Sequence, residues 1–169
     1  MPTPIGVTRE YRLPAAGAAV RGARPVAGLT CTQAGRTRFR AHLELFARKL
    51  VLLLPAGIGV APPHRRHGAY VTGGRCVYPL RTREPTGVIE VASARRLTLG
   101  HVFRVWGQQL SPHRIAGFRS AKPVLAFVNG RRYHGDPRTI PLRRHDEIVL
   151  EIGGYVPPHS SYLFPALPA

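Results

Sequence analysis

The sequence predicts an α+β fold, a mostly antiparallel β-sheet with one covering helix. Three observations carry that expectation. With 17 prolines and 18 glycines in 169 residues, the chain is punctuated too often for long helices. Its short apolar runs alternate with polar residues, as half-buried strands do. One segment, Thr98 to Leu110, instead spaces its apolar residues for a helix face. A chain of this length suits one domain with a sizeable core.

Residues 1–28 are rich in proline, glycine, alanine and arginine and are expected to form a poorly ordered leader. Ala41 to Leu54 reads as a hairpin around Arg48-Lys49. A two-residue turn prefers Asn-Gly or Asp-Gly, so a longer loop is expected there. Residues 61–75 carry turn residues and read as an exposed loop. CVYPL and TGVIEVAS follow as short strands on either side of Arg81, Arg83 and Glu84.

The helix then starts at Thr98, a capping residue, and stops at Gly107. Leu99, Val102, Phe103 and Trp106 share its apolar face, which packing against a sheet explains better than a ligand slot does. After a polar link, PVLAFVNGRRY is a hairpin with Asn129-Gly130 at its turn. Asp136 to Leu142 reads as a turn, and DEIVLEIGG alternates at Ile148, Leu150 and Ile152 as a last strand. Residues 29–156 thus form the single α+β domain, with an order of elements like that of a β-grasp. Residues 157–169 are a proline-rich tail, unsuited to a central strand.

Charge is the loudest compositional feature. Twenty-five basic residues face 8 acidic ones, a formal net charge of +17. Only Lys49 and Lys122 are lysines, so nearly all of that charge is arginine. Such a field attracts anions, whether a small ligand, an acidic partner or nucleic acid. An arginine-for-lysine bias with abundant alanine, glycine and proline is also what a GC-rich genome imposes on any surface. No block of consecutive basic residues forms a tail, and no apolar run approaches the roughly 18 residues of a transmembrane helix. The N-terminus shows no apolar segment of the kind a signal peptide needs.

The familiar catalytic signatures are absent from the sequence. There is no G-x-S-x-G elbow, no P-loop and no G-x-G-x-x-G, and Ser160 and Ser161 beside His159 lie in the tail. Glu84 and Glu90 flank a turn and are the one candidate carboxylate pair, with salt bridges to nearby arginines the commoner fate. His64 and His67 sit on a loop beside Arg65 and Arg66, whose charge repels a cation. The remaining histidines are scattered, and no metal site can be read from them. Cys31 and Cys76 form no CxxC; spacing alone allows either a disulfide or two buried thiols.

One resemblance adds motif placement. RFRAHL (38–43), PAGIGV (55–60), Cys76, RTRE (81–84), GVIEV (87–91), TLGHVFRVWG (98–107) and VNGRRYHGDPRTIPL (128–142) occur in this order. From Cys31 to about Gly153 the chain resembles a bacterial and archaeal family of small, often exported proteins with H-x-H and H-T-H-D motifs and no established activity. The resemblance implies an extracytoplasmic location and a Cys31–Cys76 disulfide.

The departures from that pattern shape the functional expectation. Arg38, Arg40, Arg81 and Arg83 stand where the family pattern has histidines, and Glu90 stands at another. Only His42 and Glu84 keep the pattern. A guanidinium stays protonated and binds acceptors, not metals. The resemblance therefore implies loss of a metal centre and gain of a basic cluster, with His42, Glu84 and Glu90 as counter-ions or residual ligands. The expectation is a non-enzymatic binding domain of the cell envelope or exterior, without cofactor or metal, whose four arginines bind an anionic ligand or partner. Three alternatives stand beside it: an intracellular nucleic-acid-binding protein, a residual metal protein using His42, Glu84, Glu90 and an outlying histidine, and a salt-bridge network serving structure alone.

Overall fold

The computed structural model describes residues 11–33 and 35–166. A single helical turn, α1 (Ala18–Arg21), precedes β1 (Phe39–Ala47) and β2 (Leu50–Leu52). A small hairpin, β3 (Arg65–His67) and β4 (Tyr70–Gly73), leads to β5 (Leu80–Arg81) and β6 (Val88–Val91). Helix α2 (Leu99–Trp106) is followed by a short meander of β7 (Leu110–Ser111), β8 (Arg114–Ile115) and β9 (Phe118–Arg119). The hairpin β10 (Leu125–Val128) and β11 (Arg131–Tyr133), a 3-10 turn at Pro137–Thr139 and β12 (Glu147–Ile152) complete the body.

The main sheet runs β11-β10-β12-β1-β6-β5, with β2 also paired to β1. Its central pair, β1 and β12, is parallel, and the other pairings are antiparallel. Taken as β6-β1-β12-β10 with α2 in the crossover, this is the β-grasp-like order the sequence predicts. Alternation along β1 and β12 sends Leu43, Leu45, Ile148, Leu150 and Ile152 into the core. Leu99, Val102, Phe103, Val105 and Trp106 of α2 are buried in the same cluster. Each large side chain there contributes roughly 2–3 kcal/mol through burial.

The helix begins and ends where the sequence places its signals. Thr98 is extended at the N-cap, and its N–H donates to His101 Nδ1 at 3.1 Å. Gly107 closes the helix at φ 79, in the left-handed region that glycine enters without steric cost. The Asn129-Gly130 turn is equally direct: Val128 pairs with Arg131, and both turn residues have positive φ.

Four expectations need correction. Arg48-Lys49 is itself the complete turn, since Ala47 pairs with Leu50 and both turn residues have positive φ. Sheet pairing on both sides and a bond from the Arg48 N–H to the Ile152 carbonyl, 2.8 Å, hold this unfavourable conformation. Within residues 61–75, the β3–β4 hairpin buries Val71. The polar link after α2 folds into the β7–β9 meander around buried Ile115.

The leader is the fourth correction. Residues 11–28 are packed, with Tyr11, Val20 and Val26 buried, whereas residues 1–10 lie outside the described part. A Cβ on Gly17 would come within 2.9 Å of Gly107 Cα, so the N-terminal segment crosses the helix end where neither chain carries a side chain. The Tyr11 hydroxyl donates to the Leu53 carbonyl at 2.9 Å, and burial pushes its pKa up to about 12. Cys31 and Cys76 are disulfide-bonded, with Cα atoms 5.4 Å apart, as the resemblance implies. No helix among the described residues is long and apolar enough to cross a membrane.

Candidate functional site

The sheet has a second face, away from α2, and the strand registers set what it carries. Arg81 of β5 pairs with Glu90 of β6, which pairs with Arg40 of β1. Two residues further along β1, His42 pairs with Glu147 of β12, and Phe46 pairs with Glu151. Side chains two apart on a strand share a face, so one row holds arginine, glutamate, histidine and glutamate side by side. The tail returns over this row. Tyr162 stacks on His42 at 3.7 Å, Phe164 stacks on His145 at 4.9 Å, and Arg40 sits over the Phe164 ring and donates to the Pro165 carbonyl.

At one end of the row, Glu90 gathers two arginines. Its Oε2 accepts from Arg81 Nε at 2.9 Å, Arg83 Nε at 3.0 Å and the Thr37 hydroxyl at 3.0 Å. Arg81 is 2% exposed and also donates to Thr37 Oγ1 and the Gly35 carbonyl, both at 3.0 Å. Arg83 donates to the Val71 and Thr72 carbonyls at 2.9 Å and lies over the Tyr70 ring. Burial pushes the Glu90 carboxyl up, but the Arg83 charge and the Arg81 hydrogen bond outweigh it and hold the carboxyl below its usual range.

The expected four-arginine cluster is therefore divided. Arg81 and Arg83 are spent on Glu90 and on backbone carbonyls, matching the structural alternative for these two. Arg40 turns to the tail, and Arg38 is exposed. Glu84 is exposed as well, so of the two expected counter-ions Glu90 alone has that role.

Farther along the row, His42 is 3% exposed and both ring nitrogens are bonded. Its Nε2 lies 2.7 Å from the Thr86 carbonyl and its Nδ1 2.7 Å from Glu147 Oε2. A carbonyl only accepts, so Nε2 carries a proton, and one further proton lies between Nδ1 and Oε2. Glu44, two residues on, has Oε2 2.8 Å from His159 Nδ1 of the tail. One donor atom from each of His42, Glu44 and Glu147 lies within 4.8 Å of the others. The residual ligand set expected from sequence, His42 with Glu84, Glu90 and an outlying histidine, is corrected in its acids: those beside His42 are Glu44 and Glu147.

A third arrangement lies beside the Glu90 network, which Thr37 joins to it. A groove of about 780 Å³ runs between the entry to β1, the segment after β6 and the approach to β12, lined by Arg36, Arg38, Arg95, Arg96 and Arg144. All five are exposed, and no carboxylate is among the described residues lining the groove. Arg144 donates to the Arg38 carbonyl at 2.7 Å and Arg95 to the Gly28 carbonyl at 3.0 Å, which fixes two of the guanidinium groups. Of these five, the sequence singles out Arg38 alone. Arg95-Arg96 and Arg143-Arg144 are visible as basic pairs, but nothing local places them beside Arg38.

No protein-family model, curated protein or solved structure matches this chain.

Proposed function

We propose that this chain is a non-enzymatic, disulfide-stabilised binding domain of the cell envelope or exterior that takes an anionic ligand in the five-arginine groove. One observation carries the reading: five exposed guanidinium groups line a single groove whose described lining includes no carboxylate. Like charges crowded together repel, and a phosphate or sulfate group relieves that repulsion while accepting paired N–H bonds. The Arg81–Glu90–Arg83 network contrasts with it, since Glu90 lies between its two guanidinium groups and their other donors are directed at Thr37 and backbone carbonyls. The disulfide supports an oxidising compartment, as does the resemblance to exported proteins. This reading keeps Arg38 of the four expected arginines and replaces Arg40, Arg81 and Arg83 with Arg36, Arg95, Arg96 and Arg144.

The test compares two double variants of equal charge. Heparin oligosaccharide binding by calorimetry should weaken at least about tenfold in Arg38→Ala/Arg96→Ala, each lost charge-assisted bond costing roughly 1 kcal/mol or more at an exposed site. Arg66→Ala/Arg131→Ala removes two exposed arginines elsewhere and should change binding less than about twofold. Equal losses in the two pairs would mean that diffuse charge, and not the groove, attracts anions. A preference for duplex DNA over heparin would favour the nucleic-acid reading.

A further inference from the structure

The groups around His42 carry an inference separate from the arginine groove, with which they share no residue. The buried carboxylate beside His42 is only half used. Glu147 is 1% exposed; its Oε2 meets His42, and its Oε1 is buried with no hydrogen-bond partner. A buried carboxylate oxygen without a partner is costly, and native proteins rarely leave one so. Beside it stand the Nδ1 of a buried imidazole, a second carboxylate on Glu44 and a second imidazole on His159.

We propose that His42, Glu44, Glu147 and His159 form a binding site for a divalent first-row transition metal such as zinc. The bonds around His42 match what such a site requires. Nε2–H is anchored on the Thr86 carbonyl, which fixes the tautomer that turns the Nδ1 lone pair toward Glu147. An ion at Nδ1 takes the place of the one proton shared with Glu147, and that carboxylate then has both oxygens in reach of the charge. Two imidazoles and two carboxylates are a nitrogen–oxygen donor set of the kind zinc, cobalt and copper accept.

The geometry needs a modest closure. Donors about 2.0–2.2 Å from zinc lie roughly 3.3 Å apart in a tetrahedron. The donor atoms of His42, Glu44 and Glu147 lie within 4.8 Å of one another, and His159 joins them through Glu44. Glu44 and His159 must draw inward, while His42 Nδ1 and Glu147 Oε2, now 2.7 Å apart, open by about 0.6 Å to admit the ion. Glu44 is 19% exposed and His159 51%, and His159 belongs to the returning tail, so both have room to move. A cavity of about 660 Å³ bordered by His42, Glu44, His159 and Tyr162 gives access from solvent.

The charged groups that bear on Glu147 are His42, Glu44 and His159, all members of the cluster. Arg40, the nearest arginine along β1, is drawn toward Phe164 and the Pro165 carbonyl.

The experiment titrates the full chain, without a histidine tag and with its disulfide intact, with Zn²⁺ by calorimetry and with Co²⁺ by visible absorption. One ion per chain is expected, with the intense visible bands of four-coordinate cobalt. Glu44→Gln and His159→Ala lie at partly exposed positions and should leave the fold intact, each weakening Zn²⁺ binding at least about tenfold. His67→Ala, an exposed histidine on β3, should leave binding unchanged. Absence of stoichiometric binding in the folded protein would overturn the proposal. So would equal affinity in wild type, Glu44→Gln and His159→Ala, which would assign the ion to other histidines.

Discussion

Replacing Glu90 by glutamine keeps the side-chain shape and removes one negative charge from between two arginines. Arg81, 2% exposed, then holds a positive charge with no counter-ion, and its Nη1 already has no hydrogen-bond partner. Breaking a buried ion pair from one side costs about 3–5 kcal/mol. The lower end applies here, because Arg81 retains Gly35 and Thr37 and Arg83 retains the Val71 and Thr72 carbonyls. A loss of about 3 kcal/mol is a large share of a typical 5–15 kcal/mol stability. For a domain of this size it lowers Tm by roughly 6–12 °C.

Thermal and urea unfolding under oxidising conditions measure the effect, with Glu84→Gln as the control. Glu84 is exposed, and its variant should stay within about 0.5 kcal/mol of wild type. The pH dependence has a definite sign. The folded Glu90 carboxyl is held below its ordinary value of 4.5, so its contribution is full above that pH and is lost as pH falls through the lower, folded value. The gap between wild type and Glu90→Gln should therefore close in acid. A Glu90→Gln variant within about 1 kcal/mol of wild type at pH 7 would refute the reasoning that this carboxylate holds the buried Arg81 charge and the half-buried Arg83 charge.

Other outcomes follow from the same structure. The disulfide closes a loop spanning 45 residues, so Cys31→Ser/Cys76→Ser should lose roughly 4 kcal/mol on the chain-entropy argument; a change below about 1 kcal/mol in urea unfolding would contradict it. Gly107→Ala puts a Cβ within 2.5 Å of Gly17 Cα at φ 79 and should cost at least about 2 kcal/mol, while Gly117→Ala, which meets nothing within 4 Å, should be near neutral in thermal unfolding.

Elements whose signals are local were legible in the sequence. Thr98 and Gly107 bound a helix because capping and left-handed closure depend on single residues, and Asn129-Gly130 bends a hairpin for a similar reason. The site was not legible, because its neighbours are brought together by pairing across the chain. His42 meets Glu147 only because β1 and β12 run parallel, 105 residues apart, and no local pattern announces that register. Glu147 begins a strand read correctly from Ile148, Leu150 and Ile152, yet those residues say nothing about what covers the opposite face.

Long-range packing also explains the misplaced arginines. Arg81 and Arg83 were expected to bind an anion, whereas β3–β4 and the segment at Gly35–Thr37 supply their hydrogen-bond acceptors from far along the chain. The tail was read correctly as unfit for a central strand, but proline does not prevent Tyr162 and Phe164 from stacking on the sheet. Small residues in the leader pack by close backbone approach, which hydrophobic periodicity does not register.

The central claim is that anions collect in the groove of Arg36, Arg38, Arg95, Arg96 and Arg144. Nuclear magnetic resonance of the arginine Nε–H groups during titration with inorganic pyrophosphate reads each guanidinium separately. Signals of these five residues should move together and saturate, while those of Arg81 and Arg83 stay fixed on Glu90. Shifts spread evenly over Arg66, Arg119 and Arg131, or led by Arg81 and Arg83, would contradict the account.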